Sequence, residues 1–506
     1  MDIKINRNSE TPIFLQIKGR IKSLIAADEL ASGYKMPSER RLAEELGVHR
    51  NTVVKAYSEL ISEGYLTASR KAPKGYFVRQ PDEENSFGRR FFPLEKMIRY
   101  HFNEKEKLFL DLFNRSAESG RISFGGLIMD RRTMPVNGME EIFQRMLLAS
   151  RDPGPETENE TERMKKNICR VLARENMYVN PRNIQLVSET NQALDYLINL
   201  YLQKGDWVVA EEPILPDNSS LFRNKGMNLA TVPMEPDGMN LKTLEALLRK
   251  YRPKFIYTMP NFHNPTGITM SLAKRRELLE IAQRYGVPVI EEDSQRDFRY
   301  TENRIPSLYS LDPYKSVVYI DSFTLTFPYG IKTGYVVGPY DLAETLGRCI
   351  VVDETFVSNM GQFMLNEYIE QGLWEEHTEY LARCYRKRLD VLCEELDKIR
   401  SLGISYEKPQ GGLVLWCDLA EEINEKQLYQ TSMEKGLLIM PGFLFYPFGY
   451  AGSGHVRLAF SKTSEEEIVQ GVKILGEALK VCREHPERKR SSKEENSDMI
   501  LEEETK

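Results

Sequence analysis

At 506 residues the chain exceeds what one ordinary hydrophobic core organises, so two or more domains are expected. Hydrophobic residues make up 41% and charged residues 28%, the balance of a soluble globular protein. The net charge of −6 is unevenly spread: residues 1–80 hold 14 Lys and Arg against 9 Asp and Glu, so the remainder carries −11. A mildly basic head on an acidic body suits a chain that meets nucleic acid only through its N-terminus. No apolar run is long enough to span a bilayer, and Met1–Lys4 opens no secretion-type segment. The six cysteines form no CxxC pair and no metal-ligand spacing. No membrane partner and no metal are expected, and a cytoplasmic location with reduced thiols is.

In chain order, Pro12 to Ala26 places Ile13, Leu15, Ile17, Ile21, Leu24 and Ile25 largely on one helical face. Gly33 breaks the chain, and a second short helix starts at Pro37-Ser38, with Ser38 as N-cap, and runs to Leu46. Gly47-Val48 makes a tight turn, and a third helix begins near His49-Arg50-Asn51-Thr52 and ends at Gly64. Tyr65–Thr67 and Gly75–Val78 then pair as a hairpin with Lys71 and Lys74 near its tip. A short helix, a glycine turn and a helix with a polar N-terminus form a geometry that enters a major groove.

The run MPSERRLAEELGVHRNTVVKAYSELISEGYL resembles the winged helix-turn-helix of GntR-type regulators, over residues 1–78. The resemblance implies binding to double-stranded operator DNA through Arg40, Arg50 and Thr52. Ser38 and His49 would contact the backbone, and Lys71 and Lys74 would sit on the wing. Asn51 is also exposed at the helix start, at a position the family varies.

Residues 79–121 read as a linker with an amphipathic helix. Residues 80–89 are polar and charged, whereas Phe91 to Phe113 carries an apolar stripe at helical spacing. Packing against the larger domain is the preferred reading of that stripe, with a lipid- or partner-binding helix as the alternative. From 122 to 482, strand-like runs at Ile184–Val187, Trp207–Ala210, Phe255–Met259, Val287–Glu291, Val317–Ile320 and Tyr335–Val337 alternate with helical stretches such as Gln192–Leu202 and Leu272–Tyr285. This order predicts an α/β domain: a mostly parallel sheet with helices on both faces, a smaller C-terminal α+β subdomain, and function at the carboxyl ends of the strands. The charged tail, 483–506, is expected to be disordered.

HNPTG, VIEEDSQRDFRY, YIDSFTLTFPYGIKTGYVVGP, PQGGLVLW and GSGHVRLAFSK follow one another in the order found in fold-type I pyridoxal-phosphate aminotransferases. Behind a GntR-type head, the body is similar to that of MocR/GabR regulators. The resemblance implies a homodimer. It also implies that Asn264 bonds the pyridine O3′, Asp293 pairs with the pyridinium nitrogen and Arg457 clamps a substrate carboxylate. The plainer roles are a turn for Asn264, a loop cap for Asp293 and a surface ion pair for Arg457.

The departures from the family are as informative. Thr324-Leu325 stands where the family has Ser-Lys, and leucine offers no amine for an aldimine. Lys332 replaces the phosphate-binding arginine, Glu189 a glycine of the phosphate loop, Leu215 a stacking aromatic and Ser294 a tyrosine. No covalent cofactor is therefore expected, with pyridoxal phosphate or a similar ligand held weakly if at all. The expected function is a DNA-binding transcriptional regulator whose body dimerises and senses a small amino-acid or carboxylate effector without transaminase activity. Two alternatives are a ligand-independent dimeric repressor scaffold and an active aminotransferase that uses a displaced lysine such as Lys332.

Overall fold

The computed structural model describes residues 3, 5–7, 9, 11–27, 29–31, 33–69, 74–79, 102–118, 120–135, 138–149, 159–327, 330–353, 355, 357–448 and 454–485. It divides into two compact units, residues 1–99 and 100–506. Lys71, residues 91–101 and the tail beyond 485 lie outside the described residues.

The first unit contains α1 (Ile13–Ala26), α2 (Glu39–Leu46), α3 (Arg50–Ser62) and an antiparallel hairpin of β1 (Leu66–Ser69) and β2 (Gly75–Val78). Ile17, Ile21, Leu24, Leu42, Val53, Tyr57, Leu60, Leu66 and Val78 form its core. Ser38 caps α2 by accepting from the Arg41 amide at 3.3 Å, and His49 Nδ1 caps α3 by accepting from the Asn51 amide at 3.2 Å. Gly47 sits between the helices at φ 60°, a left-handed conformation that favours glycine.

In the second unit, the first described helix is α4 (Glu104–Ser116), capped at Asn103 by a reciprocal bond with Glu106. Its Phe109 and Leu112 pack with Leu438, Met440, Phe443 and Phe445. This described part of the apolar stripe thus belongs to the core of the larger unit, which begins before residue 122.

The main sheet consists of β3 (Ile184–Val187), β4 (Trp207–Glu212), β5 (Asn228–Glu235), β6 (Gly238–Met239), β7 (Phe255–Thr258), β8 (Val289–Glu292), β9 (Val317–Ser322) and β10 (Gly334–Val337). Their spatial order is β3-β10-β9-β8-β7-β4-β5-β6. The five central strands β9, β8, β7, β4 and β5 run parallel, whereas β10 is antiparallel to both its neighbours and β6 to β5. Every residue of β7, β8, β9 and β10 is buried, as expected of strands covered on both faces. Alternation sends Ala210, Tyr257, Ile290 and Ile320 to one face, beneath α5 (Thr190–Tyr201) and α6 (Pro216–Asn224). Val209, Ile256, Val289 and Val317 go to the other face, against α7 (Leu272–Tyr285). A second, antiparallel sheet of β11 (Ile404–Tyr406), β12 (Val414–Leu419), β13 (Met440–Pro441) and β14 (His455–Ala459) packs with α8 (Leu373–Lys398) and α9 (Glu465–Glu484).

Glu211 on β4 is 2% exposed and accepts from the Thr258 hydroxyl at 2.6 Å and the Met259 amide at 2.8 Å. Burial pushes its carboxyl up to about 7 from 4.5, against the opposing effect of those hydrogen bonds. His263 lies 3.5 Å away, but burial holds it down to about 3, so it is neutral and offers no compensating charge. The folded state therefore binds this proton more tightly than the unfolded chain. The contribution of Glu211 to stability is complete at low pH and falls by on the order of 3 kcal/mol as pH rises from about 4.5 to about 7. Urea titrations at pH 5 and pH 8 should show a smaller pH difference for Glu211→Gln than for the native protein. An identical difference would show that Glu211 does not carry it.

Candidate functional site

Two regions gather the candidate residues. On the first unit, Ser38, Arg40, His49, Arg50 and Asn51 are exposed around the N-termini of α2 and α3, and Thr52 is half-buried beside them. Lys74 is exposed where β2 begins. Arg50 donates through Nε at 3.1 Å and Nη2 at 2.7 Å to Glu39, which also accepts from Tyr76 at 2.5 Å. The Tyr76 hydroxyl, with Arg50 second, holds the Glu39 carboxyl below the usual range. Glu39 thus ties the start of α2 to both the wing and α3.

On the second unit, a cavity of ≈ 210 Å³ opens at the carboxyl ends of the central strands. Ser322 ends β9 and Thr324 follows it, Ser294 and Gln295 follow β8, and Met259 follows β7. Glu189, Thr190, Leu215 and Asp217 come from the N-terminal ends of α5 and α6. Phe109 and Phe113 of α4 complete the apolar wall with Leu127 and Leu325. Helix α4 is fastened there by an ion pair between Glu106 and Arg223 and by a bond from Lys105 Nζ to the Tyr446 carbonyl at 3.1 Å.

Asn264 and Arg457 line the same cavity. Arg457, on β14, is 2% exposed; its Nη1 donates to Asn264 Oδ1 at 3.1 Å and its Nη2 to the Gly125 carbonyl at 2.5 Å. Its Nε has no hydrogen-bond partner, and among the described residues no carboxylate lies within ion-pair distance. Burial lowers its pKa to about 10, while the field of Asp217 acts in the opposite direction. The Phe445 ring, 5.0 Å from the guanidinium, shares the load. This disposes of the plainer reading of Arg457 as half of a surface ion pair.

Thr324 and Lys332 gather on Glu189 instead. The Thr324 hydroxyl donates to the Glu189 carboxylate at 2.5 Å, and Lys332 Nζ lies 3.9 Å from it. Lys332 is 55% exposed and stands at the cavity's edge rather than on its lining. Among the described residues no lysine lines the cavity, and Leu325 packs its side chain against the core of the smaller sheet.

Asp293 is not brought to the cavity. Its carboxylate accepts from Asn261 Nδ2 at 2.8 Å and from the Tyr319 hydroxyl at 3.0 Å, on the opposite face of the sheet. One residue earlier, Glu292 faces the cavity side and accepts from Tyr257 at 2.5 Å and from the cavity-lining Ser294 at 3.1 Å. Burial raises its carboxyl to about 6. The assignment of Asp293 to a ring nitrogen is corrected by strand alternation: successive residues of an extended segment point to opposite faces, so a one-residue offset exchanges the two acids. The same alternation, counted back from the apolar residues of β8, was the signal that could have found Glu292. Asp217, Phe109 and Phe113 were also missed. Only the amphipathic stripe hinted at the two phenylalanines, and nothing local marks Asp217.

Residues 157–475 match the family of class I and II aminotransferases, and residues 14–78 match the gntR family of bacterial regulatory proteins. Over 94% of its length the chain is 26% identical to YisV, an uncharacterized HTH-type transcriptional regulator of Bacillus subtilis (strain 168), covering 97% of that protein. Over 86% of its length it is 24% identical to MocR of Rhizobium meliloti, a probable rhizopine catabolism regulatory protein, covering 88% of it. The crystal structure of a kynurenine aminotransferase from Pyrococcus horikoshii matches with a TM-score of 0.70 at 25% identity, covering 79% of this chain and 98% of that one.

Proposed function

Because the chain belongs to the class I and II aminotransferase family and carries a gntR-family DNA-binding domain at its N-terminus, we propose that it is a cytoplasmic transcriptional regulator whose body is a non-catalytic effector domain. The observation that carries this reading is a cavity that retains a buried guanidinium, Arg457, yet among the described residues presents Leu325 and no lysine. A guanidinium clamps a carboxylate, and the described lining offers no amine for an aldimine. The lining does not suit covalently bound pyridoxal phosphate: Glu189 lies against Thr324 and near Lys332, where the negative charge of a phosphate would meet a carboxylate. DNA contact is assigned to Ser38, Arg40, His49, Arg50, Thr52, Lys71 and Lys74, and effector contact to Arg457 with Asn264.

A homodimer is part of the proposal, its two heads reading two half-sites. Exposed Phe143, Leu147 and Leu148 on the helix Met139–Ala149, with exposed Met360 on the helix Asn359–Glu370 packed against it, support a surface that another copy covers. Effector binding then acts by favouring one arrangement of the heads over another.

The test is an absorption spectrum with added pyridoxal phosphate, before and after borohydride reduction, with peptide mapping of the product. The expected result is the spectrum of the free aldehyde and no pyridoxyl-lysine peptide. A reduced adduct on one internal lysine, together with turnover of an amino donor, would return the body to catalysis.

A further inference from the structure

The N-terminus of α5 carries no side-chain cap, and the Thr324 hydroxyl and the Lys332 ammonium stand beside it. All three features suit an anion, and the chain supplies its own: the carboxylate of Glu189, 2.5 Å from the Thr324 hydroxyl and 3.9 Å from Lys332 Nζ. A second acid, Asp217 on the first turn of α6, lines the same cavity and accepts from the Asn191 amide at 3.1 Å. Neither acid is within ion-pair distance of Arg457, which is buried, lacks any carboxylate partner among the described residues and keeps an unpartnered Nε. Glu189 thus has Lys332 beside it, whereas Asp217 has no cation partner and Arg457 no carboxylate partner among the described residues; Phe109, Leu215 and Leu325 supply apolar parts of the same lining.

We propose that this cavity takes an unphosphorylated, zwitterionic amino acid directly and without a cofactor, its carboxylate on Arg457 and its ammonium on Asp217 and Glu189. The inference rests on the reading of the body as an effector domain and gives that ligand its chemistry. A carboxylate supplies the charge that a buried guanidinium lacks. An ammonium is drawn to two carboxylates, whereas a phosphate dianion is repelled by them in a site of low dielectric. The carboxylate of Glu189 excludes phosphorylated ligands by occupying the place that they need.

The experiment is calorimetric titration of the full-length protein with the twenty proteinogenic L-amino acids, γ-aminobutyrate and 5-aminopentanoate, each paired with its deaminated acid. Pyridoxal and pyridoxal phosphate are titrated in parallel. At least one amino acid is expected to bind about tenfold or more tightly than its deaminated acid. Asp217→Asn should remove that difference, and Arg457→Met should weaken both ligands. Native protein should bind pyridoxal phosphate no more tightly than pyridoxal, and Glu189→Gly should shift that ratio toward the phosphate by about tenfold. Melting curves of each variant separate lost binding from lost folding. The inference is overturned if deaminated acids bind as well as amino acids, if native protein prefers pyridoxal phosphate, or if none of the set binds. Equal binding of the deaminated acids with loss in Arg457→Met would leave the effector reading standing. A borohydride-fixed adduct would remove that reading as well.

Discussion

Replacing Arg296 with methionine is expected to destabilise the larger unit by about 3–5 kcal/mol, the usual result of stripping one partner from a buried ion pair. Arg296 is 4% exposed, and its Nη1 lies 2.9 Å from Asp321 Oδ2 and 3.0 Å from each of the hydroxyls of Tyr319 and Tyr335. The Tyr335 hydroxyl donates to the same Asp321 oxygen at 2.7 Å, and Tyr319 donates to Asp293 at 3.0 Å. Asn261 links Asp293 at 2.8 Å to Arg275 at 2.6 Å. The chain of bonds thus runs beneath the sheet from α7 to β10, and each member is satisfied by the next. Methionine fills much of the volume but leaves Asp321 buried without its cation and two tyrosines short of a partner. Urea denaturation measures the loss, and adding Asp321→Asn to Arg296→Met should recover part of it by removing the stranded charge. A single-variant loss below about 1 kcal/mol would show that the network is not formed. Because Asp293 belongs to this network, its substitution should affect stability first and ligand binding only secondarily.

Arg40→Ala and Arg50→Ala should each weaken binding to an operator fragment by about 1–3 kcal/mol, roughly tenfold to a hundredfold. The two residues differ in the free protein. Among the described residues no side-chain hydrogen bond fixes Arg40, whereas Arg50 gives Nε and Nη2 to Glu39 and leaves Nη1 outside that pair. Arg50 must therefore exchange Glu39 for DNA or bind through Nη1, and Glu39→Gln should ease that exchange and tighten its contact. Fluorescence anisotropy on DNA fragments selected by the native protein, at several salt concentrations, separates the two kinds of contact. A base-reading arginine loses preference for selected over random DNA. A phosphate-binding one weakens both and lowers the salt slope by about one. If both alanine variants bind as tightly as the native protein, the face of α2 and α3 is not the DNA surface.

Much of the architecture was already visible in residue patterns. The helix Leu272–Tyr285 matches its expected bounds because Ser271 caps it and Gly286 ends it in the left-handed region, both local signals. The first unit follows Ser38, Gly47 and the apolar spacing of α1 and α3 equally closely. Strands β4, β8 and β9 extend one or two residues beyond their expected ends, to Glu212, Glu292 and Ser322. Polar side chains at those ends look like loop residues in a sequence, yet Glu211, Glu292 and Asp321 are buried and accept hydrogen bonds from neighbouring strands.

Local order, caps, turns and the motifs of both families were determined by the sequence itself, because each depends on residues a few positions apart. The absence of a lysine beside Thr324 is equally a property of the sequence. Which face each acid takes was decided only in three dimensions: strand alternation turns Glu292 toward the cavity and Asp293 away from it. The tertiary structure alone also sets the carboxylate of Glu189 against Thr324, leaves Arg457 buried with no carboxylate in ion-pair distance among the described residues, and roofs the cavity with Phe109 and Phe113. Those relations join residues more than a hundred positions apart, and their energies depend on burial and distance, which no run of neighbouring residues contains.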